Sequence, residues 1–537
     1  MQRPLNATSQ TSWIAGERAV NAGFGISAVT LVCVVTLGIG AFGLRLSRTT
    51  SDFYVASRVV PPGWNASAIG GEYLSAASFL GIAGLGYTLG ADMLWFPVGY
   101  TVGYLVLLVL VAAPLRRSGA YTLPDFAEDR LESVPVRRLC SLLVIGIGWL
   151  YLLPQFKGAG LALSTVTGAP SWVGGLIVAV VVMANVVAGG MRSITLVQAV
   201  QYWLKLTAIS IPVFVLLWIW LRHGAPQPHI AATPPGHEWT RPFSGFGGRD
   251  HPVYATYSML LALCFGTMGL PHVLVRFYTN PDGRTARRTT LIVIALLGLF
   301  YVFTPVYGVL GRVYLPTLPH GVQADAVVLM LPMAISPGLL GELLSALLAG
   351  GAFAAFLSTA SGLTISVAGV IDQDLLRPRI NARTGGDSVA VQGFRIAAVS
   401  AVVLPYAFSL LSVRVGLADT VGLAFALAAS TFCPLLVLGV WWRGLSTTGA
   451  AVGLVTGGVL AMSAVLITMI GGVRSGWSGA LLAQPAAWTM PIAFLVTVVV
   501  SLKTPSQIPK GTARTMVRLH APETLKAGLP EPTPWSY

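Results

Sequence analysis

The sequence predicts an all-α protein that crosses a lipid bilayer many times. Three observations carry this expectation. Apolar runs of about twenty residues, each long enough to span the hydrocarbon core, recur from Gly25 to Leu502. Only 10% of the residues are charged, where a water-soluble chain carries about a quarter. The runs are continuously apolar and do not alternate over segments of about ten residues, which excludes a closed β-barrel.

The elements follow in order. Residues 1–24 are a polar tail that lacks the apolar core of a signal peptide, and the arginine distribution described below makes it extracytoplasmic. About thirteen spans are expected after it, each a continuous apolar run. They cover 25–46, 65–89, 93–114, 138–165, 171–190, 193–221, 253–276, 289–313, 338–370, 393–412, 417–441, 447–471 and 486–502. Arginines concentrate on one set of alternate loops, for example Arg116, Arg117, Arg130, Arg137 and Arg138, then Arg284, Arg287 and Arg288. The positive-inside rule makes that set cytoplasmic, which puts the N-terminus outside and the C-terminus inside. The net charge of +14 therefore reflects loops between spans, and a nucleic-acid partner is excluded. The loop 222–252 holds His223, His229, His237 and His251, whose spacing fits no metal motif. The tail 503–537 is polar, contains prolines and is expected to be flexible. Cys33, Cys140, Cys264 and Cys433 lie in apolar runs without a CxxC pair and are read as packing residues.

Two spans look interrupted. The second, WNASAIGGEYLSAASFLG, places Gly70-Gly71 before Glu72, Ser75 and Ser78. The seventh, LCFGTMGLPHVLVRF, gathers Gly266, Gly269 and Pro271, followed by His272. Such clusters weaken the helical ladder, and in lipid the freed backbone groups survive only where they line a cavity or bind something. Alternatively, the glycines only let helices pack closely. Breaks at matching places in two halves point to a transporter built on inverted repeats. The repeats would be 65–221 and 253–441, followed by the spans in 447–502.

Ionisable side chains inside spans are functional candidates by default. Lys157, beside Gly158 and Gly160, either attracts an anion or pairs with a carboxylate, or is structural. Lys205 lies two or three turns from the end of its span and is expected to snorkel to the surface. His272, one turn before Arg276, is read as structural or gating rather than as a proton relay. Asp372 and Asp374 close the ninth span and are expected to be solvated. Within that span the adjacent hydroxyls of Ser358 and Thr359 either bond back to the preceding turn or ligate a small cation.

The ordered motifs resemble one known family. VVAGGMRSITLVQAVQYWLK, from Val186 to Lys205, matches the Gly-Gly-[Leu/Met/Phe]-x-[Ser/Ala/Pro] signature of the sodium:solute symporters at Gly189-Gly190-Met191-Arg192-Ser193. GEYLSAASFLGIAGLGYT, LLPQFKGAGLAL and FGTMGLPHVLVRFYTNPDGRTARR resemble its acetate and short-monocarboxylate branch. The resemblance, from about Ser51 to Trp442, implies a LeuT-like 5+5 inverted repeat with one extra N-terminal span and two extra C-terminal spans. It also implies a Na+ site made by the carbonyls of Gly71, Leu74 and Ala355 and the hydroxyls of Ser358 and Thr359. Two departures stand out: Gln198 replaces an Asp common in sodium-coupled members, and Glu72 replaces an Asp of close relatives. Gly70, Gly71, Ser75, Gly266, Thr267 and Gly269 are expected to line the substrate site. Glu72, Lys157, Gln198 and His272 are expected to serve gating or coupling.

The function expected is secondary transport: cation-coupled uptake of acetate, propionate, pyruvate or a similar acid across the plasma membrane. Na+ is the first driving ion and H+ the alternative, with no organic cofactor. The partners are the small carboxylate and the lipid bilayer, and a monomer is expected. A membrane enzyme would need a catalytic set, and the chain has no Gly-x-Ser-x-Gly, His-Glu-x-x-His or P-loop.

Overall fold

A computed structural model describes residues 22–44, 60–228, 238–248, 250–319, 321–376, 387–411, 415–472 and 475–521, without side-chain detail at 188–192 and 387–392. The N-terminal tail before Ala22, His229, His237 and the tail after Ala521 lie outside the described residues.

Helices cover each apolar stretch. In chain order they are α1 (Ala22–Leu44), α2 (Pro62–Tyr73), α3 (Ile82–Leu89), α4 (Trp95–Leu110), α5 (Ala112–Ser118), α6 (Leu123–Leu131), α7 (Val134–Thr167) and α8 (Ser171–Arg222). They continue as α9 (Pro252–Gly266), α10 (Pro271–Tyr278), α11 (Gly283–Tyr301), α12 (Thr304–Tyr314), α13 (Val327–Ile335), α14 (Leu339–Val370), α15 (Asp387–Leu410) and α16 (Leu417–Trp441). The last four are α17 (Thr447–Gly471), α18 (Gly476–Ala483), α19 (Ala486–Lys503) and α20 (Thr512–His520). Among the described residues, ten helices are individually long and apolar enough to cross a membrane, or eleven with the bent pair at α9–α10.

Burial separates the centre of the bundle from its rim. The apolar windows of α14 and α16 are each 89% buried, against 28% for α1. Rim helices instead expose Leu31, Phe42, Leu142, Phe214 and Leu495, side chains suited to lipid rather than water.

The expected spans 171–190 and 193–221 share one helical run, α8. A straight helix would set Asn185 and Gln201 about 24 Å apart. Yet α1 meets both within a single turn. Thr36 accepts from Gln201 Nε2 at 3.0 Å, and a Cβ added to Gly40 would collide with Asn185. Ser193 Oγ also donates to Gly40 O at 2.9 Å. The run therefore bends back on itself between Asn185 and Gln201.

The arginine-bearing side is knitted by ion pairs. Arg137 reaches Asp125 at 2.8 Å, Glu128 at 2.5 Å and Asp374 at 2.7 Å, joining α6 and α7 to the end of the α14 span. This corrects the expectation of solvated acids: Asp374 is paired and its side chain is 4% exposed, and Asp372 is fully buried. The C-terminal tail is also ordered as far as α20, contrary to the expected flexibility. Arg518 pairs with Asp129, Gly511 N donates to Glu132 at 3.0 Å, and Arg130 holds Gly439 O, Trp442 O and Thr512 at 2.9, 3.1 and 3.3 Å. On the opposite side, His251 stacks on Trp477 and His223 bonds Tyr314. Trp239 Nε1 donates to Gly86 O at 3.1 Å, so the long loop folds back onto α3.

Candidate functional site

The second span breaks, but not at its glycine pair. α2 runs through Gly70-Gly71 to Tyr73 and stops at Leu74 (φ −72°, ψ 85°), and helical backbone resumes at Ala76, widening into a π turn over Ala77–Gly81. The glycines serve close approach instead. A Cβ on Gly70 would lie 2.9 Å from the Tyr202 ring, and one on Gly71 would strike Gln198 O. α8 therefore lies flat against α2 just before the break.

Four of the backbone groups freed by that break find side-chain partners, as a non-aqueous core favours. Ala76 N donates to Gln155 Oε1 at 3.1 Å. Glu72 O accepts from Thr359 Oγ1 at 2.6 Å. Gly71 O and Leu74 O both accept from the Lys205 ammonium, the latter at 2.8 Å. Lys205 Nζ also donates to Ser358 Oγ at 2.6 Å.

Lys205 is fully buried. It does not snorkel, which corrects the sequence expectation. The reason is register: Gln198, Tyr202 and Lys205 recur at helical spacing on one face of α8, and that face meets α2 across Gly70 and Gly71. The oxygens expected to hold Na+ do come together. Ser358 Oγ also bonds Gly71 O at 2.7 Å and Ala355 O at 3.0 Å. Three of them surround a side-chain ammonium.

The seventh span breaks at Leu270 (ψ 117°), between a 3-10 turn over Thr267–Gly269 and α10, with a bend of 41°. This places the break at the end of the expected Gly266–Gly269 stretch. Here too the glycines permit contact: a Cβ on Gly269 would lie 2.7 Å from Ala428 O, and one on Gly266 would strike Phe425 O. Thr267 Oγ1 bonds back to Leu263 O at 2.7 Å and meets Tyr73 Oη at 3.1 Å, so the two breaks touch.

Between the breaks lies an aromatic cluster. Tyr73 stands 4.8 Å from Tyr104 and 5.7 Å from Tyr100, ring centre to ring centre. Phe425 lies 5.4 Å from Tyr100 and 5.9 Å from Tyr151, and His272 lies 5.2 Å from Tyr151. Among the described residues, Tyr100 Oη, Tyr104 Oη and both ring nitrogens of His272 are buried without a hydrogen-bond partner. Ser75 Oγ, close to the Tyr151 hydroxyl, has no well-formed bond either. An orphaned buried polar group costs about 1–3 kcal/mol, so several in one place mark a position that ligand or water atoms would satisfy.

Below the aromatic cluster, the two span halves that lead to the arginine-bearing side are tied together. Arg276 Nε pairs with Glu72 Oε2 at 2.8 Å, with both side chains buried. Its other nitrogens reach Thr195 at 2.5 Å and Gln198 Oε1. Gln198 Nε2 donates onward to Ser358 O at 2.7 Å. Asn65 Nδ2 holds Arg276 O at 3.2 Å. Glu72, Gln198 and Arg276 thus form one network, while His272 packs against Tyr151. Lys157 is only partly buried on α7.

Sequence reasoning did not assign Gln155, Tyr100 or Tyr104 a role, and it misread Lys205. Tyr100 and Tyr104 are spaced one turn apart on an apolar helix, a signal that reads equally well as packing.

Comparison with known proteins adds identity to this geometry. The model of the sodium:solute symporter family matches residues 53–457. A protein described as an uncharacterized symporter, YwcA of Bacillus subtilis, is 33% identical over 86% of this chain and 90% of its own length. A monocarboxylic acid transporter of Corynebacterium glutamicum is 31% identical over 90% and 92%. In fold, the chain resembles a Na+-coupled sialic acid symporter in a substrate-bound outward-open state (TM-score 0.68, 14% identity, 90% of this chain and 97% of that one). It also resembles MhsT in complex with L-phenylalanine (TM-score 0.52, 15% identity, 82% and 99%). A family match over most of the length, two relatives above 30% identity and a shared transporter fold leave one reading of these broken helices: the chain belongs to the sodium:solute symporter family and is a multi-pass membrane transporter.

Proposed function

We propose that this transporter carries a small monocarboxylate, such as acetate, propionate or pyruvate, into the cell by symport with a cation. The observation that supports it most is the set of buried, unsatisfied polar groups between the breaks: Tyr100, Tyr104, His272 and Ser75. Hydroxyl and imidazole N–H groups are the donors a carboxylate needs, and they supply them without a fixed positive charge that would hold the anion too long. Aromatic walls of Tyr73, Tyr151 and Phe425 suit a short apolar tail. The 31% identical relative named as a monocarboxylic acid transporter points to the same substrate class.

In this reading 65–221 and 253–441 are the two inverted repeats, and the arginine-bearing side, with the docked α20, faces the cytoplasm. The Glu72–Arg276 network closes that side. Its opening would release substrate inward. The family name makes sodium the first candidate for the driving ion, and the position of Lys205 stands against it.

The test is uptake of labelled acetate, propionate and pyruvate by the purified protein in liposomes. Saturable uptake of at least one is expected. Tyr100→Phe and Tyr104→Phe should each raise the half-saturating concentration several-fold, in line with about 1 kcal/mol per lost hydrogen bond. Saturable transport of an uncharged solute, with none for these acids, would overturn the assignment.

A further inference from the structure

We propose that the Lys205 ammonium is a built-in replacement for the sodium ion, so that this chain has no working sodium site where its family would place one. The inference deepens the symport reading and rests on it only for the word coupling. The geometry itself stands on hydrogen bonds.

Five oxygens are expected to ligate Na+ from the family resemblance: the carbonyls of Gly71, Leu74 and Ala355 and the hydroxyls of Ser358 and Thr359. Gly71 O, Leu74 O and Ser358 Oγ accept from Lys205 Nζ. Ala355 O accepts from Ser358 Oγ, and Thr359 Oγ1 is turned to Glu72 O. All five are engaged within the protein. An ammonium carries three N–H donors and here meets three acceptors, so its hydrogen-bonding capacity is filled. A sodium ion on the same carbonyls would sit against another unit positive charge in a region with little screening, a juxtaposition the protein interior disfavours.

The placement of Lys205 follows from the helices around it. Its stem comes off the same face of α8 as Gln198 and Tyr202, and the absence of a Cβ at Gly70 and Gly71 lets that face touch α2. The ammonium thus does from within what a bound cation does elsewhere. It joins the broken span (Gly71, Leu74) to α14 (Ser358). Being covalently attached, it is not released with the substrate, so the sodium gradient has no purchase on the cycle at this position.

The deciding measurement is binding of radioactive sodium to the purified full-length protein, which does not depend on the substrate. The wild type is expected to show no saturable sodium binding. Lys205→Ala should open the position and gain saturable binding, and the added change Ser358→Ala should abolish that gain. Saturable sodium binding by the wild type that Ser358→Ala removes would overturn the proposal, and this arm needs no Lys205 variant to fold. Acetate uptake by the wild type, in sodium-free medium and with an inward sodium gradient, should run at the same rate. Acceleration by the gradient that Ser358→Ala abolishes would also overturn the proposal. Absence of monocarboxylate uptake alone would sink the substrate reading and leave the sodium-binding result to decide this one.

Discussion

The Glu72–Arg276 pair allows the sharpest energetic prediction. Glu72 Oε2 and Arg276 Nε are 2.8 Å apart, and the side chains are 3% and 1% exposed. Removing one partner of such a buried pair leaves the other charge uncompensated and costs about 3–5 kcal/mol. Glu72→Gln keeps the volume and a carbonyl acceptor, so the loss is electrostatic rather than steric. About 3 kcal/mol is two decades in an equilibrium constant. If the pair holds the arginine-bearing side shut, the population open to that side should rise by about that factor. The assay is a double-mutant cycle on the unfolding midpoint in detergent, with accessibility of an introduced cysteine on the α10 face of the network as the conformational readout. Glu72→Gln and Arg276→Gln should each lower the midpoint by several degrees. The double variant should lie above the sum of the two losses, since removing both charges is often near neutral. Gly362→Ala should mimic Glu72→Gln, because an added Cβ there would collide with the Glu72 carboxylate. Strictly additive single effects, or Glu72→Gln with unchanged stability and accessibility, would refute the reasoning.

Three further outcomes follow from the geometry. Gln155→Leu removes the acceptor for Ala76 N and should cost about 1–3 kcal/mol, seen as a lower unfolding midpoint with impaired uptake. Gly269→Val places atoms 2.7 Å from Ala428 O and 3.0 Å from the Phe432 side chain. It should abolish acetate uptake, and normal uptake would show that the Thr267–Gly269 turn and α16 do not approach this closely. Asp325, at the turn between α12 and α13, is buried beside Gly84 and accepts from Leu417 N at 3.1 Å; burial pushes its carboxyl up from 3.8 to about 6. The folded state therefore keeps a proton that the unfolded state releases. Its contribution is fully present below about pH 4 and is lost as pH rises through about 6, by no more than about 3 kcal/mol. Midpoints measured across that range should fall with rising pH in the wild type and fall less in Asp325→Asn.

Much of the architecture was legible because lipid imposes a simple rule on composition. Each long apolar run reappears as helix, from Gly25 in α1 to Leu502 in α19. That both spans are interrupted was also legible; in the seventh, Pro271 ends the ladder before it whatever surrounds it. The place of the first break was not. Gly70-Gly71 drew attention as the weak point, but the pair lies inside α2 and answers to Tyr202 and Gln198 on another helix, information that a linear reading does not contain. Lys205 failed for the same reason. Its distance from the span end suggested snorkelling, and only the contact between α8 and α2 shows that the side chain points inward. Asp374 was expected in water because its partner, Arg137, lies more than two hundred residues away in the chain. The oxygens of Gly71, Leu74 and Ser358 were anticipated as a group from the family resemblance, while the ammonium among them came from the folded arrangement.

The most direct test of the central claim, symport of a small monocarboxylate, is counterflow of labelled acetate in liposomes that contain only the purified protein and unlabelled acid. Preloading with acetate, propionate or pyruvate should drive transient accumulation of label above equilibrium. Tyr100→Phe/Tyr104→Phe should weaken it, and a neutral sugar inside should not support it. Accumulation driven by the sugar but by none of the acids would contradict the account.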